Sequence, residues 1–353
     1  MYNIYNNDVV TLGETQMKYA KLGPIAVYLP KKRETIDDLK LEHPEWELDE
    51  ICAKTGVYAR HISAPDEFAS DMAFNVANQL IEENNIPRES IDFVILCTQS
   101  PDYPIPTTAC IVQHKLGLRI DCGALDFNLG CSGYVYGLGL ADGLIRGESA
   151  HRILLITSET YTKYIDSGDR SLRTIFGDGA TATLIDASDT QSLGPFLFGT
   201  DGEGANSLIA YGRGIRPESL SLPPSHRRRW ASSLYMDGAE LMRFTNSKIP
   251  PLVDQLLEKA GRKLSDIDIF LMHQATRKML ESLTVTMALD PAKVPIQMEQ
   301  VGNTVSSSIP ILISQLRQTP EWTKYQCSML LGFGVGLSWG GALWRDVWSM
   351  ERE

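Results

Sequence analysis

Three residues far apart in the chain carry groups that together can move an acyl group. Cys131 follows Asn128-Leu129-Gly130 at the end of a short apolar stretch, and a helical pattern starts directly after it. A cysteine on such a strand-to-helix elbow sits at free helix N–H groups and the positive end of the helix dipole. That placement is expected to lower the thiol pKa and make a nucleophile. His273 ends the apolar run Ile267 to Met272, and Asn303 follows Val301-Gly302. The cysteine can take an acyl group as a thioester. The histidine can handle a proton or donate to a developing oxyanion, and the asparagine can donate a second hydrogen bond without changing protonation. Taken singly, each has a bland reading: a small buried hydrophobe, a histidine that merely ends a strand.

The elements around them decide between these readings. Strands are expected at Ile25 to Leu29, Ile91 to Cys97, Ala124 to Phe127, His151 to Ser158, Thr181 to Ile185, Ile267 to Met272, Ser328 to Phe333 and Leu337 to Trp344. Helical spacing marks Ala69 to Asn84, Thr107 to Leu116, Cys131 to about Arg146, Gly238 to Ala260, Arg277 to Ala288 and Thr304 to Leu316. Glu34 to Lys54 reads as mostly polar, and Gly194 to Pro224 as a long loop. Alternating strands and helices indicate an α/β architecture.

The chain also echoes itself. SIDFVILCTQS (Ser90 to Ser100) resembles DIDIFLMHQAT (Asp266 to Thr276), and Leu129-Gly130-Cys131 resembles Val301-Gly302-Asn303. The offsets are nearly equal, 176 residues (266 − 90) and 172 residues (303 − 131). Two duplicated α/β halves follow: an extension at 1–20, a first half at 21–192 carrying the cysteine, and a second at 193–353 carrying His273 and Asn303. If the halves meet at the carboxyl ends of their strands, the three residues share one pocket, where α/β ligand sites commonly lie. Gly133, Gly137, Gly139 and Gly143 punctuate the helix after Cys131. Interior glycines each cost roughly 1 kcal/mol against alanine, so this helix is expected to be buried against its counterpart after Asn303. Pro310 is expected to kink that counterpart. Gly332-Phe-Gly-Val-Gly336 lets backbone come close to such a pocket, where a loop N–H and that of Cys131 can form an oxyanion hole.

Bulk composition narrows the class. A chain of 353 residues with 43% hydrophobic and 22% charged residues is an ordinary globular composition. A formal charge of −11 argues against nucleic acid or an anionic membrane as partner. Six cysteines without CxxC spacing suggest neither a zinc site nor a disulfide scaffold, and no metal is expected. With no export signal and no apolar run of membrane-spanning length, a cytoplasmic protein is expected.

The motifs TGVYARHIS (Thr55 to Ser63), the Cys131 elbow, DR…IFGDGA (Asp169 to Ala180), HQA (His273 to Ala275), GNT…SIP (Gly302 to Pro310) and GFGVGLSWGGAL (Gly332 to Leu343) occur in order. With them the chain resembles the β-ketoacyl-acyl-carrier-protein synthase III family of the thiolase-like superfamily. The resemblance implies a layered α-β-α-β-α fold with two central buried helices. It implies that Cys131 is acylated, and that a malonyl thioester on acyl carrier protein decarboxylates beside His273 and Asn303 and condenses with the acyl group. It implies an oxyanion hole from the backbone of Cys131 and Val335, no permanently bound cofactor, and a homodimer in which Ile105, in the loop Asp102 to Pro106, enters the neighbour's acyl pocket. Arg170 matches an arginine at the CoA adenine; Thr276 falls beside the pantetheine. The other adenine-clamp positions hold Glu50 and Lys54, with Trp46 four residues displaced, so a carrier-bound acyl donor stands beside acyl-CoA. Arg243, Arg277 and Lys278 match the carrier-protein surface, and His226 to Arg229 adds a basic cluster. Transfer of the Cys131-bound acyl group to an oxygen or nitrogen nucleophile is the alternative. A papain-like hydrolase and a non-catalytic partner subunit fit less well, the first because of the duplication, the second because the triad is intact.

Overall fold

The computed structural model describes residues 17–211, 215 and 233–351. The expected extension (bar its last few residues), most of the 206–230 loop and the His226 to Arg229 cluster lie outside the described residues. In chain order, β1 (Tyr19–Tyr28) and β2 (Lys32–Thr35) precede α1 (Ile36–Glu42), α2 (Leu48–Thr55) and β3 (Ala59–Ile62). Next come α3 (Ala69–Glu83), β4 (Phe93–Cys97), α4 (Thr108–Lys115), β5 (Gly123–Phe127), α5 (Gly133–Arg146), β6 (Arg152–Glu159), α6 (Arg170–Arg173) and β7 (Gly179–Ser188). Then follow β8 (Leu193–Thr200), β9 (Leu208–Ala210), β10 (Leu234–Met236), α7 (Gly238–Ala260), β11 (Ile269–Met272), α8 (Arg277–Thr286), α9 (Ser308–Leu316), β12 (Ser328–Gly334), β13 (Ser338–Trp344) and α10 (Val347–Met350).

The two larger sheets have the orders β1-β7-β6-β4-β5 and β8-β13-β12-β11. Their pairings repeat in the same sense. β1–β7 and β8–β13 are antiparallel, as are β7–β6 and β13–β12, while β6–β4 and β12–β11 are parallel. β4 therefore corresponds to β11, which places Cys97 and His273 at equivalent strand ends. No described strand pairs with the free edge of β11 as β5 does with β4, and Asn303 is instead bridged to Phe176 of the first half.

α3 and α4 pack on the first sheet and α7 on the second, with α8 against α7. α5 touches strands of both sheets, and α9 touches β1, β7 and β11, so both lie between the sheets. The order of layers is thus α-β-α-β-α. Each interface is an apolar cluster: Val76, Leu80 and Leu96 outside the first sheet; Tyr134, Leu138, Ile309 and Leu330 between the sheets; Leu252, Leu256 and Leu331 outside the second. Burying such a side chain fully stabilises the fold by about 1.5–3 kcal/mol.

Four local expectations change. Glu34 to Lys54 holds two short helices; Thr35 and Asp38 cap the first reciprocally, and left-handed Gly56 ends the second. The Gly194 region begins with β8, an edge strand of the second sheet. The α5 glycines face sheet side chains (Cys97 at Gly133, Leu155 at Gly137, Phe198 at Gly139) and open space at Gly143, not the other central helix. Pro310 is not interior to its helix: α9 starts only at Ser308, and a first-turn proline has no intrahelical hydrogen bond to lose.

Candidate active site

Cys131 lies in the turn between β5 and α5, where the Gly133 N–H donates to the Gly130 carbonyl at 2.8 Å. The C-terminal glycine run passes directly over it. A Cβ on Gly334 would stand 2.8 Å from Cys131 Cβ and 2.9 Å from Sγ, and one on Gly332 would stand 3.0 Å from the Cys131 carbonyl oxygen. That approach brings the Val335 N–H to the sulfur, which also accepts from the N–H of Cys131 itself. Both N–H groups favour the thiolate, but burial outweighs them, and the negative field of Glu159 adds to it. The thiol is pushed up to about 12. The expectation of a lowered thiol pKa is therefore corrected: the elbow supplies the donors, yet Cys131 is only 5% exposed, and desolvation of the anion dominates.

His273 extends the β11 ladder by one residue, its N–H donating to the Leu331 carbonyl at 2.9 Å. Ser308 Oγ, at the start of α9, sits 2.7 Å from His273 Nδ1 and accepts from the Gln274 N–H at 3.3 Å. The ring meets Phe333 edge-on at 5.8 Å. Burial lowers its pKa to about 3, so the imidazole is neutral at physiological pH.

Asn303 is pinned on both backbone sides: its N–H donates to the Ile175 carbonyl at 2.9 Å and its carbonyl accepts from Gly177 at 3.1 Å. Gly302 has φ +71°, and a Cβ there would stand 2.7 Å from the Ile175 oxygen. Glycine is required on both counts. The Asn303 side-chain oxygen accepts from the Val305 N–H at 2.9 Å, which leaves the NH₂ as the free face of the amide. The FGDG turn that holds Asn303 is itself held by buried Arg60, which donates to the Phe176 carbonyl at 2.9 Å and pairs with Glu34.

Cys131, His273 and Asn303 line one cavity of ≈ 140 Å³, with Thr276, Phe176, Leu208, Met236, Met242, Met279 and Phe333 among its walls. Among the described residues no cluster of three His, Cys, Asp or Glu side chains is set to hold a metal, and no helix is long and apolar enough to cross a membrane. A neutral imidazole, an amide NH₂ and two backbone N–H groups around a sulfur are suited to carbonyl and enolate oxygens.

The remaining sequence-picked residues do not line this cavity. Lys54 is exposed on α2 and pairs with Glu50 at 2.5 Å. Arg170 is exposed at the start of α6. Arg173, on the same helix, lies 3.1 Å from His43 Nε2, and His43 stacks on Trp46 at 3.9 Å. Ile105 is 85% exposed. Arg243 pairs with Glu240, Arg277 with Glu299 at 2.7 Å, and Lys278 is exposed. Sequence reasoning missed Ser308 and the buried Glu159; the only signal for the first was the serine run after Asn303, and a single acid ending a strand signals nothing.

The chain is similar to known proteins over most of its length. The family described as 3-oxoacyl-[acyl-carrier-protein] synthase III matches residues 125–202, and its C-terminal part matches 257–346. The β-ketoacyl-[acyl-carrier-protein] synthase III of Lactococcus lactis is 35% identical over 93% of this chain and 99% of that protein. A crystal structure of a 3-oxoacyl-(acyl-carrier-protein) synthase III shares 44% identity, with TM-score 0.87 over 93% of this chain and 99% of that one. The priming β-ketosynthase of a polyketide biosynthetic pathway shares 25%, with TM-score 0.82 over 95% of this chain and 98% of that one.

Proposed function

The chain belongs to the 3-oxoacyl-[acyl-carrier-protein] synthase III family, and from that premise we propose that it condenses an acyl thioester with malonyl-acyl carrier protein to give a β-ketoacyl product. The observation that carries this is the convergence of Cys131, His273 and Asn303 on one cavity.

In the first half-reaction the Cys131 sulfur attacks the acyl carbonyl. The N–H groups of Cys131 and Val335 hold the tetrahedral oxyanion, and the departing thiolate of the donor takes up the proton lost by Cys131. The malonyl thioester then enters. His273 and the Asn303 NH₂ donate to its thioester oxygen, negative charge collects there, and the C–CO₂ bond breaks. The resulting carbanion attacks the Cys131 thioester, and collapse of the second tetrahedral intermediate expels the cysteine thiolate, which is reprotonated. A neutral histidine suits this, because it donates a hydrogen bond without needing to lose a charge. The apolar walls favour decarboxylation, which moves charge from a solvated carboxylate to a held oxygen.

The acyl donor is acyl-CoA or an acyl carrier protein, and nothing permanently bound is needed. Trp46, held through His43 beside α6, and Arg170 would flank an adenine; Thr276, capping α8, would face the pantetheine. Arg243, Arg277 and Lys278 would meet the acidic carrier protein. The enzyme is proposed to be cytoplasmic and to pair through the loop at Asp102 to Pro106, which offers Ile105 to a second copy. The boundary between halves falls at 192/193, supported by strands of the first sheet ending at Ser188 and those of the second starting at Leu193. Intact-mass analysis after incubation with a panel of acyl thioesters tests the reading: an acyl adduct on wild type and none on Cys131→Ala supports it, and no adduct with any donor rejects it.

A further inference from the structure

The catalytic steps above leave one buried acid unused. Glu159, the last residue of β6, is fully buried behind the Cys131 elbow. One carboxylate oxygen accepts from the Gln99 N–H at 3.0 Å, at the loop after β4. The other accepts from Ser306 Oγ at 2.6 Å, three residues beyond Asn303. A third donor is the side chain of Ser100. The acid therefore ties the strand ends of one half to the turn that carries Asn303 in the other.

A buried carboxyl needs such donors and gains little stability from them, so the placement calls for a role. We propose that Glu159 is a positioning residue: it holds the Asn303 turn against the Cys131 elbow, and its charge governs the reactivity of the Cys131 sulfur. The proposal rests on Cys131 being the nucleophile of the function proposed above. Four titratable groups face the carboxyl: Asp178 from the FGDG turn, Cys97 from the end of β4, Cys131 from the elbow and Tyr161 from the turn after β6. Burial raises the Glu159 pKa to about 8, and the Ser306 hydrogen bond opposes that rise. Its ionised form in turn raises the thiol pKa of Cys131. Above pH 8, then, ionisation of Glu159 holds back formation of the thiolate.

The test is the pH profile of Cys131 alkylation by iodoacetamide, read from the Cys131 peptide by mass, for wild type, Glu159→Gln and Ser306→Ala. It needs no acyl substrate, so it can fail independently of the condensing reading, whose failure is the absence of an acyl adduct. In wild type the rise of rate with pH is expected to flatten above pH 8. Glu159→Gln removes the flattening and alkylates roughly three- to tenfold faster at pH 9.5, a thiol pKa shift of about half to one unit. Ser306→Ala removes a hydrogen bond that favours the charged carboxylate, so the flattening moves to higher pH. Superposition of the Ser306→Ala and wild-type profiles overturns the proposal, even if Glu159→Gln does not fold. A Glu159→Gln profile that folds and superposes on wild type overturns it equally.

Discussion

At the scale of residues, the proposed site sets neutral donors and a buried sulfur around one cavity. His273 stays uncharged down to about pH 3, and Asn303 has its oxygen tied back to Val305; in the proposed reaction each donates to an enolate oxygen. Loss of the amide should therefore strike the second half-reaction alone. Asn303→Ala is expected to form the Cys131 acyl adduct at near wild-type rate but to release CO₂ from malonyl-carrier protein about 10²–10³-fold more slowly; CO₂ release against adduct formation checks it. Titration also couples to stability. For His273 the unfolded ring binds a proton below its ordinary 6.5 and the native ring does not, so its contribution is lost as pH falls from 6.5 toward 3. For Glu159 the native carboxyl keeps its proton to about 8 against 4.5 unfolded, so its contribution is full below 4.5 and lost as pH rises through 8. Glu159→Gln should accordingly flatten the decline of Tm between pH 5 and 8. The convergence of Cys131, His273 and Asn303 on one cavity was legible in the sequence because the duplication set His273 and Asn303 at matched strand ends and elbows. The direction of the thiol shift was not, since local helix geometry is visible in sequence and desolvation by residues 200 positions away is not.

At the scale of elements, the elbows are held by close backbone approaches that only glycine permits. Gly334→Ala sets a methyl 2.9 Å from the Cys131 sulfur; it should keep the fold and slow acylation at least tenfold, a displacement effect of the kind expected from a misplaced reacting atom. Gly302→Ala meets both a positive φ and the Ile175 oxygen, and should destabilise by about 1–3 kcal/mol in a denaturant melt. Most helices and strands could be read from apolar periodicity, as with α3 and α7. The helices α1 and α2 were missed because their surfaces are largely polar and a capping signal at Thr35 is short. The glycines of α5 were assigned the wrong neighbour: small residues announce a close approach but not which element makes it.

At the scale of the whole molecule, the second sheet repeats the order and sense of the first, and that repetition aims two different elbows at one cavity. Polar ties cross between elements: buried Asp178 accepts from the N–H and hydroxyl of both Ser63 and Thr162, with bonds of 2.5–2.9 Å, and nearer the surface Arg173 joins Glu34 and Glu42. Against a chain charge of −11, an acidic carrier protein needs a local cationic landing. Lys278→Glu should raise KM severalfold for carrier-bound malonyl substrate and leave that for malonyl-pantetheine unchanged; parallel kinetics with the two substrates checks it. The central claim is that Cys131, His273 and Asn303 form one condensing site. It is tested most directly by acylating the protein, confirming the adduct on Cys131 by peptide mass, and adding carboxyl-labelled malonyl-carrier protein. Release of labelled CO₂ with loss of the Cys131 adduct and appearance of a β-ketoacyl-carrier product is the predicted result. A stable adduct that yields no labelled CO₂, or one lost only to water or to an added amine or alcohol, would contradict it.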